Sequence, residues 1–173
     1  MTDLLMKRAA FISSCGLYRY SLSRIWDDQL PRLVVCMLNP SKADHEVDDP
    51  TMLALIHFAR IWGYGGLLIV NLYGFRASQP KEMFNATDPI GRENDGYVVA
   101  ALDYAAANGG RLLVAWGNDG QERAGFFCQL AESRDIELIC LGTTLSGAPK
   151  HPMARGKHRI PRDQVPLPYR RAA

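Results

Sequence analysis

The sequence has only four cysteines in 173 residues, and no two of them form a Cys-x-x-Cys pair. Structural zinc sites and iron–sulfur clusters need closely spaced ligands, so we expect no metal and no other cofactor. Cys36 and Cys140 fall within apolar runs, where cysteine behaves as a small hydrophobic residue. The sequence therefore predicts that these two thiols are buried in the core.

Long hydrophobic runs are also absent. No apolar stretch approaches the roughly 20 residues that a membrane-spanning helix needs. The N-terminal segment MTDLLMKRAAFISSC is interrupted by charges and lacks the apolar region of a signal peptide. We therefore expect a cytoplasmic protein with no membrane partner and no disulfides. A composition that is 47% apolar and 22% charged is typical of a globular protein.

No internal repeat divides the chain, and its length fits one domain, residues 1–173. We divide it into an N-terminal hairpin (1–30), a core (31–145) and a basic C-terminal segment (146–173). This last segment has seven basic residues and one acidic residue, a net charge of +6, whereas the whole chain carries only +2. Such a segment suits a polyanion such as nucleic acid. A solvated terminal segment explains the composition equally well.

Apolar runs alternate with helical patterns along the core. The runs RLVVCMLN, LLIVNLY, RLLVAW and IELICLG read as buried strands, and amphipathic segments separate them. Asp49 and Pro50 mark the start of the first helix as N-cap and first helical residue. This alternation predicts a three-layer α/β/α fold with a central, mostly parallel four-stranded sheet. Residues 1–30 add an antiparallel hairpin at its edge.

Acidic residues cluster just before that first helix. Asp44, Glu46, Asp48 and Asp49 lie beside His45, a set that could hold a hard metal ion. We favour a solvated loop and a helix cap.

Polar or small residues follow each predicted core strand. Asn39 and Pro40, Asn71, Trp116 and Gly117, and finally Gly142 all come just after the end of an apolar run. Carboxyl ends of parallel strands meet at one edge of a sheet, where open α/β sheets bind their ligands. The sequence therefore predicts a binding site at this edge.

The motifs around this edge carry a resemblance. Together RYSLSRIW, MLNPSKAD, DDPT, NLYGFRASQP, GREND, AWG and HP resemble an uncharacterised bacterial and phage family of unknown function. More distantly, MLNP (37–40), LLIVN (67–71), LLVAWGNDGQ (112–121) and KHPMARGKHR (150–159) resemble motifs of the uracil-DNA glycosylase superfamily, in the same order and on the same element ends. This second resemblance implies a uracil-DNA glycosylase-like fold and a site for a flipped base.

The glycosylase resemblance assigns roles to individual residues. Asn39 matches the position that orients the attacking water, and His151 matches the histidine that donates to the base oxygen as negative charge develops. Asn71 matches the residue that hydrogen-bonds the polar edge of the base, because a carboxamide offers both a donor and an acceptor. Each also has a simpler explanation: turn formation for the two asparagines and a surface position for the histidine.

Further residues complete the predicted site. We expect Pro40, Ser41, Tyr73 and Phe75 to contact the base; Ser41, a small residue after the proline, leaves the pocket more open. Phosphate contacts are expected from a basic set: Arg76, Lys150, Arg155, Lys157, His158 and Arg159. Arg76 could equally form a structural salt bridge.

The sequence departs from the glycosylase pattern at residue 37, which is Met where that superfamily usually has Gly. The late loop HPMARGKHR also lacks the usual small-residue pattern after His-Pro, so the residue that would replace the flipped base is unassigned. Asn39 is a carboxamide, as in some members of the superfamily, and it can position a water but cannot act as a strong base. Three hypotheses stay open. The first is a monomeric enzyme that hydrolyses the N-glycosidic bond of a modified or deaminated base in DNA, single-stranded or damaged. The second is a non-catalytic module that binds nucleic acid or a nucleotide. The third is an enzyme that acts on free modified nucleosides or nucleotides.

Overall fold

A computed structural model describes residues 5–42 and 46–170. Its strands are β1 (Lys7–Ile12), β2 (Arg19–Ile25), β3 (Arg32–Met37), β4 (Gly66–Asn71), β5 (Arg111–Val114), β6 (Glu137–Cys140) and β7 (Leu167–Pro168). Its α-helices are α1 (Pro50–Ile61), α2 (Pro80–Phe84), α3 (Asn94–Ala107) and α4 (Gln121–Glu132). Within these described ranges, no helix is long and apolar enough to cross a membrane.

All seven strands belong to one mixed sheet, in the order β1-β2-β4-β3-β5-β6-β7. The four predicted core strands pair in parallel. The predicted hairpin is antiparallel and extends the sheet beyond β4. The expectation of a four-stranded, mostly parallel sheet is nevertheless wrong, because the hairpin is hydrogen-bonded into the same sheet. A seventh strand, β7, also pairs with β6 on the opposite edge.

Helices cover both faces of this sheet, since each strand alternates its side chains between two cores. Helix α1 packs on one core, which contains Leu33, Val35, Leu67 and Ile69. Helices α2, α3 and α4 pack on the other core, whose strand residues include Val34 and Cys36. We call these the α1 face and the α3 face. Cys36 and Cys140 are buried, as the sequence predicts.

One extra residue interrupts the pairing of β1 with β2. Phe11 lies opposite Ser21, but the next pair along is Ile12 and Arg19, so Tyr20 is inserted as a bulge. A bulge reverses the alternation of the strand at that point. The Tyr20 ring stacks on Tyr97 of α3.

Arg24 further along β2 fixes the loop that leads into α1. Its guanidinium is fully buried and forms a 2.8 Å ion pair with Asp48. Arg8 of β1 pairs with the same carboxylate at 2.9 Å. The following residue, Asp49, is the N-cap of α1 and accepts a hydrogen bond from the Met52 backbone amide, with Pro50 at the first helical position. The predicted helix start is thereby confirmed.

The C-terminal segment wraps around α1 and then joins the sheet. Ile160 packs on the core of the α1 face, and the indole of Trp62 donates a 3.0 Å hydrogen bond to the Gln164 carbonyl. Tyr169, just after β7, is buried against Trp116. The segment looks irregular from its sequence because its order comes from contacts with distant residues.

Candidate functional site

The strand order has a topological switch point at the end of β3. The connection from β3 to β4 runs over the α1 face, whereas the connection from β5 to β6, through α4, runs over the α3 face. β3 and β5 are neighbours in the sheet, so the loops that leave their carboxyl ends diverge to opposite faces. Open α/β sheets bind ligands at such switch points. The segment that begins at Asn39 leaves β3 at this point.

The carboxamide of Asn39 is held in one orientation. Its Nδ2 atom donates to the carbonyl oxygens of Ala77 at 3.0 Å and of Pro40 at 3.1 Å. Both N–H groups are therefore used, and Oδ1 has no hydrogen-bond partner among the described residues. A half-buried oxygen fixed in this way can accept a hydrogen bond from water, and it orients that water without removing a proton.

Asn71 ends the neighbouring strand on the α1 face. It lies opposite Met37 in the parallel register, and it follows Leu67 and Ile69 in the alternation of β4. Only 3% of the residue is exposed, yet its side chain forms no hydrogen bond to any part of the chain that the structure describes. Behind it, the buried Asn94 side chain donates to the Asn71 carbonyl at 3.0 Å. The strand end is thus fixed while the Asn71 carboxamide stays available to a ligand.

His151 presents a single donor. Its Nδ1 atom accepts a 3.1 Å hydrogen bond from the Met153 backbone amide, so the neutral ring carries its proton on Nε2. Burial lowers the pKa of His151, an effect that the Asp49 carboxylate partly opposes. The ring is therefore neutral at pH 7, with an Nε2–H group that has no acceptor in the described ranges. Because Asp49 is the N-cap of α1, its electrostatic effect indicates that the His151 ring lies near the N-terminus of this helix.

Arg19 is a buried cation without a counterion. The residue is 8% exposed, and none of the described residues forms a hydrogen bond or ion pair with its side chain. Burial, followed by repulsion from Arg76, lowers the pKa of Arg19 to about 10, while Asp49 acts in the opposite direction. The guanidinium is still protonated at neutral pH. Asp49 thus acts electrostatically on both Arg19 and His151.

Arg76 ties together two loops beside Arg19. Its terminal nitrogens donate to the Gly16 carbonyl at 3.0 Å and to the Lys42 carbonyl at 3.2 Å. Gly16 belongs to the hairpin turn, and Lys42 to the loop after β3. The Nε–H group of Arg76 is buried and has no acceptor within residues 5–42 and 46–170. Among these residues Arg76 forms carbonyl contacts and no salt bridge.

We call Arg19, Asn39, Asn71, Arg76 and His151, with Asp49, the edge site. Asn39, Asn71, Arg76 and His151 are predicted from the sequence, but Arg19 is not. Arg19 is the first residue of β2, whose sequence RYSLSRI contains a second arginine, so composition alone does not single it out. Its burial depends on the Tyr20 bulge, which no local pattern reveals.

The four predicted base contacts divide between two environments. Pro40 is buried and Ser41 half-buried, directly after Asn39. Tyr73 is buried in the core of the α3 face, where its ring contacts Phe84. Phe75 packs edge-on against Tyr18 and also belongs to that face. The structure therefore brings Pro40 and Ser41 next to Asn39, whereas both aromatic rings pack away from the α1 face.

The predicted phosphate contacts other than Arg76 are close to His151 in the sequence. Lys150 is half-buried, and its backbone amide donates to the Gly142 carbonyl. Past His151, the chain forms a short turn at Gly156–His158, where His158 is half-buried. Three cations on this turn are exposed and make no ion pair with described residues: Arg155, Lys157 and Arg159.

A separate cavity of about 260 Å³ lies beyond β5, next to the edge site along the sheet. Its walls include Trp116, Gly120 and Gln121 at the start of α4, and Tyr169 after β7. Gly120 approaches the Trp116 ring so closely that a Cβ atom would lie 2.6 Å from it. This contact explains why the second glycine of the WGNDG segment, Gly120, carries no side chain.

A metal site has no support in the described part of the chain, where no three His, Cys, Asp or Glu residues cluster suitably. Asp44 and His45 of the acidic cluster lie outside the described residues. Asp48 forms ion pairs with two arginines, and Asp49 caps helix α1.

Comparison with known proteins gives one match. A model of a family described as "Protein of unknown function (DUF1643)" matches residues 19–153. These residues begin at Arg19 and extend two residues past His151, so the match includes every member of the edge site. No curated protein and no solved structure matches the chain.

Proposed function

The chain belongs to the DUF1643 family of unknown function, and we propose that it hydrolyses the N-glycosidic bond of a modified or deaminated nucleobase, as a DNA glycosylase does. One observation carries this proposal: the Asn71 carboxamide is almost fully buried at the ligand-binding edge of the sheet and has no partner in the described residues. Its nitrogen and oxygen are not among the polar atoms that are shut off from solvent, so a ligand can reach them. A base edge with an adjacent donor and acceptor would satisfy it.

The edge site offers a group for each part of this reaction. Asn71 holds the polar edge of the base, and the Nε2–H of His151 donates to the base oxygen as negative charge develops. Asn39 Oδ1 accepts from the water that attacks the sugar C1′ carbon. The bond from C1′ to the base nitrogen breaks, and its electron pair leaves with the base. The water oxygen becomes the sugar hydroxyl, and the proton it loses ends on the base or in solvent.

This arrangement relies on preorganised dipoles. Asn39 can only accept from water, since both N–H groups of its amide are occupied. His151 is neutral and so donates without giving up a full positive charge. Such a site suits a base that already leaves readily, as modified and deaminated bases do.

DNA is the expected carrier of this base. Flipping a nucleotide costs a few kcal/mol and is easiest for damaged, mismatched or unpaired bases. The exposed Arg155, Lys157 and Arg159 follow His151 and supply cations for the phosphates. Binding of this kind requires no cofactor and no membrane, and a monomer suffices for it.

The test is a panel of labelled oligonucleotides that contain uracil, hypoxanthine, 5-substituted uracils or mismatches, followed by alkaline cleavage. We expect strand breaks at one of these bases, and losses of 100-fold or more in Asn39→Ala and His151→Ala. Asn108→Ala is the matched control, because Asn108 also donates its amide to a carbonyl, that of Tyr104, at the end of α3. Breaks that persist in both site variants would overturn the proposal.

A second candidate is a binding module without chemistry. It is favoured by the absence of a carboxylate at position 39, which leaves the site without a strong base. Tight binding of a base-modified oligonucleotide without any strand break would support it. Failure to bind DNA at low salt would reject both DNA-dependent candidates, because phosphate contacts dominate affinity there.

A further inference from the structure

We infer that Arg19 and Arg76 bind a terminal phosphate monoester of the nucleotide whose base lies at Asn71. The part concerning the base rests on the proposed function, whereas the phosphate site stands on the two arginines. This phosphate site narrows the proposed substrate to a nucleotide that ends in a phosphate. Two sources supply this group, a free mononucleotide or the phosphorylated end of a DNA strand.

The first argument is the burial of Arg19. A guanidinium that is removed from water without a counterion loses several kcal/mol of hydration. Arg24, five residues along the same strand, is also buried but pairs with Asp48 at 2.8 Å. Arg19 has no such partner among the described residues. An anionic ligand would supply the charge that none of the described residues supplies.

The second argument is the proximity of a second cation. Arg19 and Arg76 repel one another, and this repulsion adds to burial in lowering the pKa of Arg19. Both have a buried Nε–H without an acceptor in the described ranges. The terminal nitrogens of Arg76 are already bonded to the Gly16 and Lys42 carbonyls, so the direction of its Nε–H is fixed. Neither Nε–H is open to solvent, whereas the terminal nitrogens of Arg19 are neither shut off from solvent nor bonded to a described residue. An anion that accepts from these terminal nitrogens would relieve the repulsion.

The depth of Arg19 selects the kind of phosphate. A phosphodiester within a strand needs room for the chain on both sides, and Arg19 is only 8% exposed. A terminal phosphate is attached to the rest of the nucleotide on one side only, so its site needs a single opening. Its charge of between −1.5 and −2 at neutral pH also matches two guanidinium groups better than the single charge of a diester. Arginine is the side chain best suited to phosphate oxygens.

The first measurement is thermal unfolding of the full chain in inorganic phosphate and in sodium chloride of equal ionic strength. A dissociation constant of about 1 mM would raise Tm by about 4 °C in 20 mM phosphate. We expect Arg19→Met and Arg76→Gln to lose this rise and Arg92→Gln, an exposed arginine before α3, to retain it. Arg76→Gln serves as a second variant if Arg19→Met does not fold. Absence of the rise in the wild-type chain, or its retention in both site variants, overturns the phosphate site.

The second measurement separates the two sources. Equilibrium dialysis compares dUMP with deoxyuridine, and a uracil-ended oligonucleotide with a 5′-phosphate is compared with the same strand bearing a 5′-hydroxyl. We expect the phosphate to improve binding at least tenfold in one of the pairs, and this gain to vanish in Arg76→Gln. A gain with dUMP alone assigns the free nucleotide; a gain with the oligonucleotide assigns the strand end. No gain in either pair overturns the inference.

These outcomes are independent of base release. Inorganic phosphate contains no base, so loss of its effect leaves the proposed hydrolysis standing. Conversely, phosphate binding that depends on Arg19 and Arg76 would survive a failure to detect any cleaved base.

Discussion

Asn39 donates a 3.0 Å hydrogen bond from Nδ2 to the carbonyl oxygen of Ala77, which joins the end of β3 to the loop after β4. The second N–H group of the same amide donates to the Pro40 carbonyl. This pair of bonds identifies which atom of the carboxamide is nitrogen and leaves Oδ1 as its free acceptor. The bonds explain how an asparagine can both build the turn and orient a water.

Replacement of this amide by a carboxylate tests that double role. In Asn39→Asp both donor bonds are lost, and an anion faces two carbonyl oxygens. We expect the free energy of unfolding to fall by about 2 kcal/mol in urea denaturation, with no gain in base release. Asn108→Ala should lose less stability and keep wild-type base release. An Asn39→Asp chain that is both stable and faster would show that a carboxylate is tolerated here and acts as a base.

Arg19 and Arg24 offer a matched pair in one strand. Arg19→Met removes a buried charge that has no partner in the described residues, so we expect stability in phosphate-free buffer to stay unchanged or to rise by about 1–3 kcal/mol. Arg24→Met removes the 2.8 Å partner of Asp48 and should cost about 3 kcal/mol, although Arg8 still pairs with that carboxylate. Chemical denaturation measures both. Equal losses in the two variants would mean that Arg19 has a structural role.

The lowered pKa of His151 implies that the stability of the chain depends on pH. Its pKa in the folded chain is lowered by burial, so between that pKa and the unfolded value of about 6.5 the unfolded chain binds more protons. Stability therefore rises with pH through this window and is lost as the pH falls below about 6.5. Protonation also ends the hydrogen bond that Nδ1 accepts from Met153.

The measurement compares unfolding free energies at pH 7.5 and pH 5.5 in the wild-type chain and in His151→Gln. Contributions from other groups cancel in the difference between the two proteins. We expect the wild-type chain to lose more stability on acidification than the variant. A larger loss in His151→Gln would contradict the burial of a neutral ring.

The basic turn predicts a salt dependence of DNA binding. Lys157 and Arg159 are exposed and have no ion pair with described residues, so each is available to one phosphate. Lys157→Gln and Arg159→Gln should each reduce the slope of log K against log salt by about 0.7–0.9, as fluorescence anisotropy can measure. Arg92→Gln should leave the slope unchanged. Unaltered slopes in both turn variants would place the DNA elsewhere on the surface.

Local chemistry in the sequence determined much of this architecture. The continuous apolar runs of β3 to β6 identified the buried strands, because a strand covered on both faces has no polar side. Asp49 and Pro50 marked the start of α1, since an N-cap acceptor and a fixed φ act within one turn. The positions of Asn39 just after β3 and of Asn71 at the end of β4 followed from these assignments, and so did the prediction of a site at this edge.

Only the tertiary structure decided how these elements combine. The Tyr20 bulge depends on pairing with β1, and it reverses the alternation of side chains along β2. Strand β7 forms because the C-terminal segment reaches β6 after passing α1. Arg19 is buried without a counterion among the described residues, whereas Arg24 is buried with one, and this difference is likewise a property of the assembled sheet and its loops. Short-range sequence patterns indicate the position of a residue within its own helix or strand, whereas pairing between distant strands determines which residues its side chain contacts.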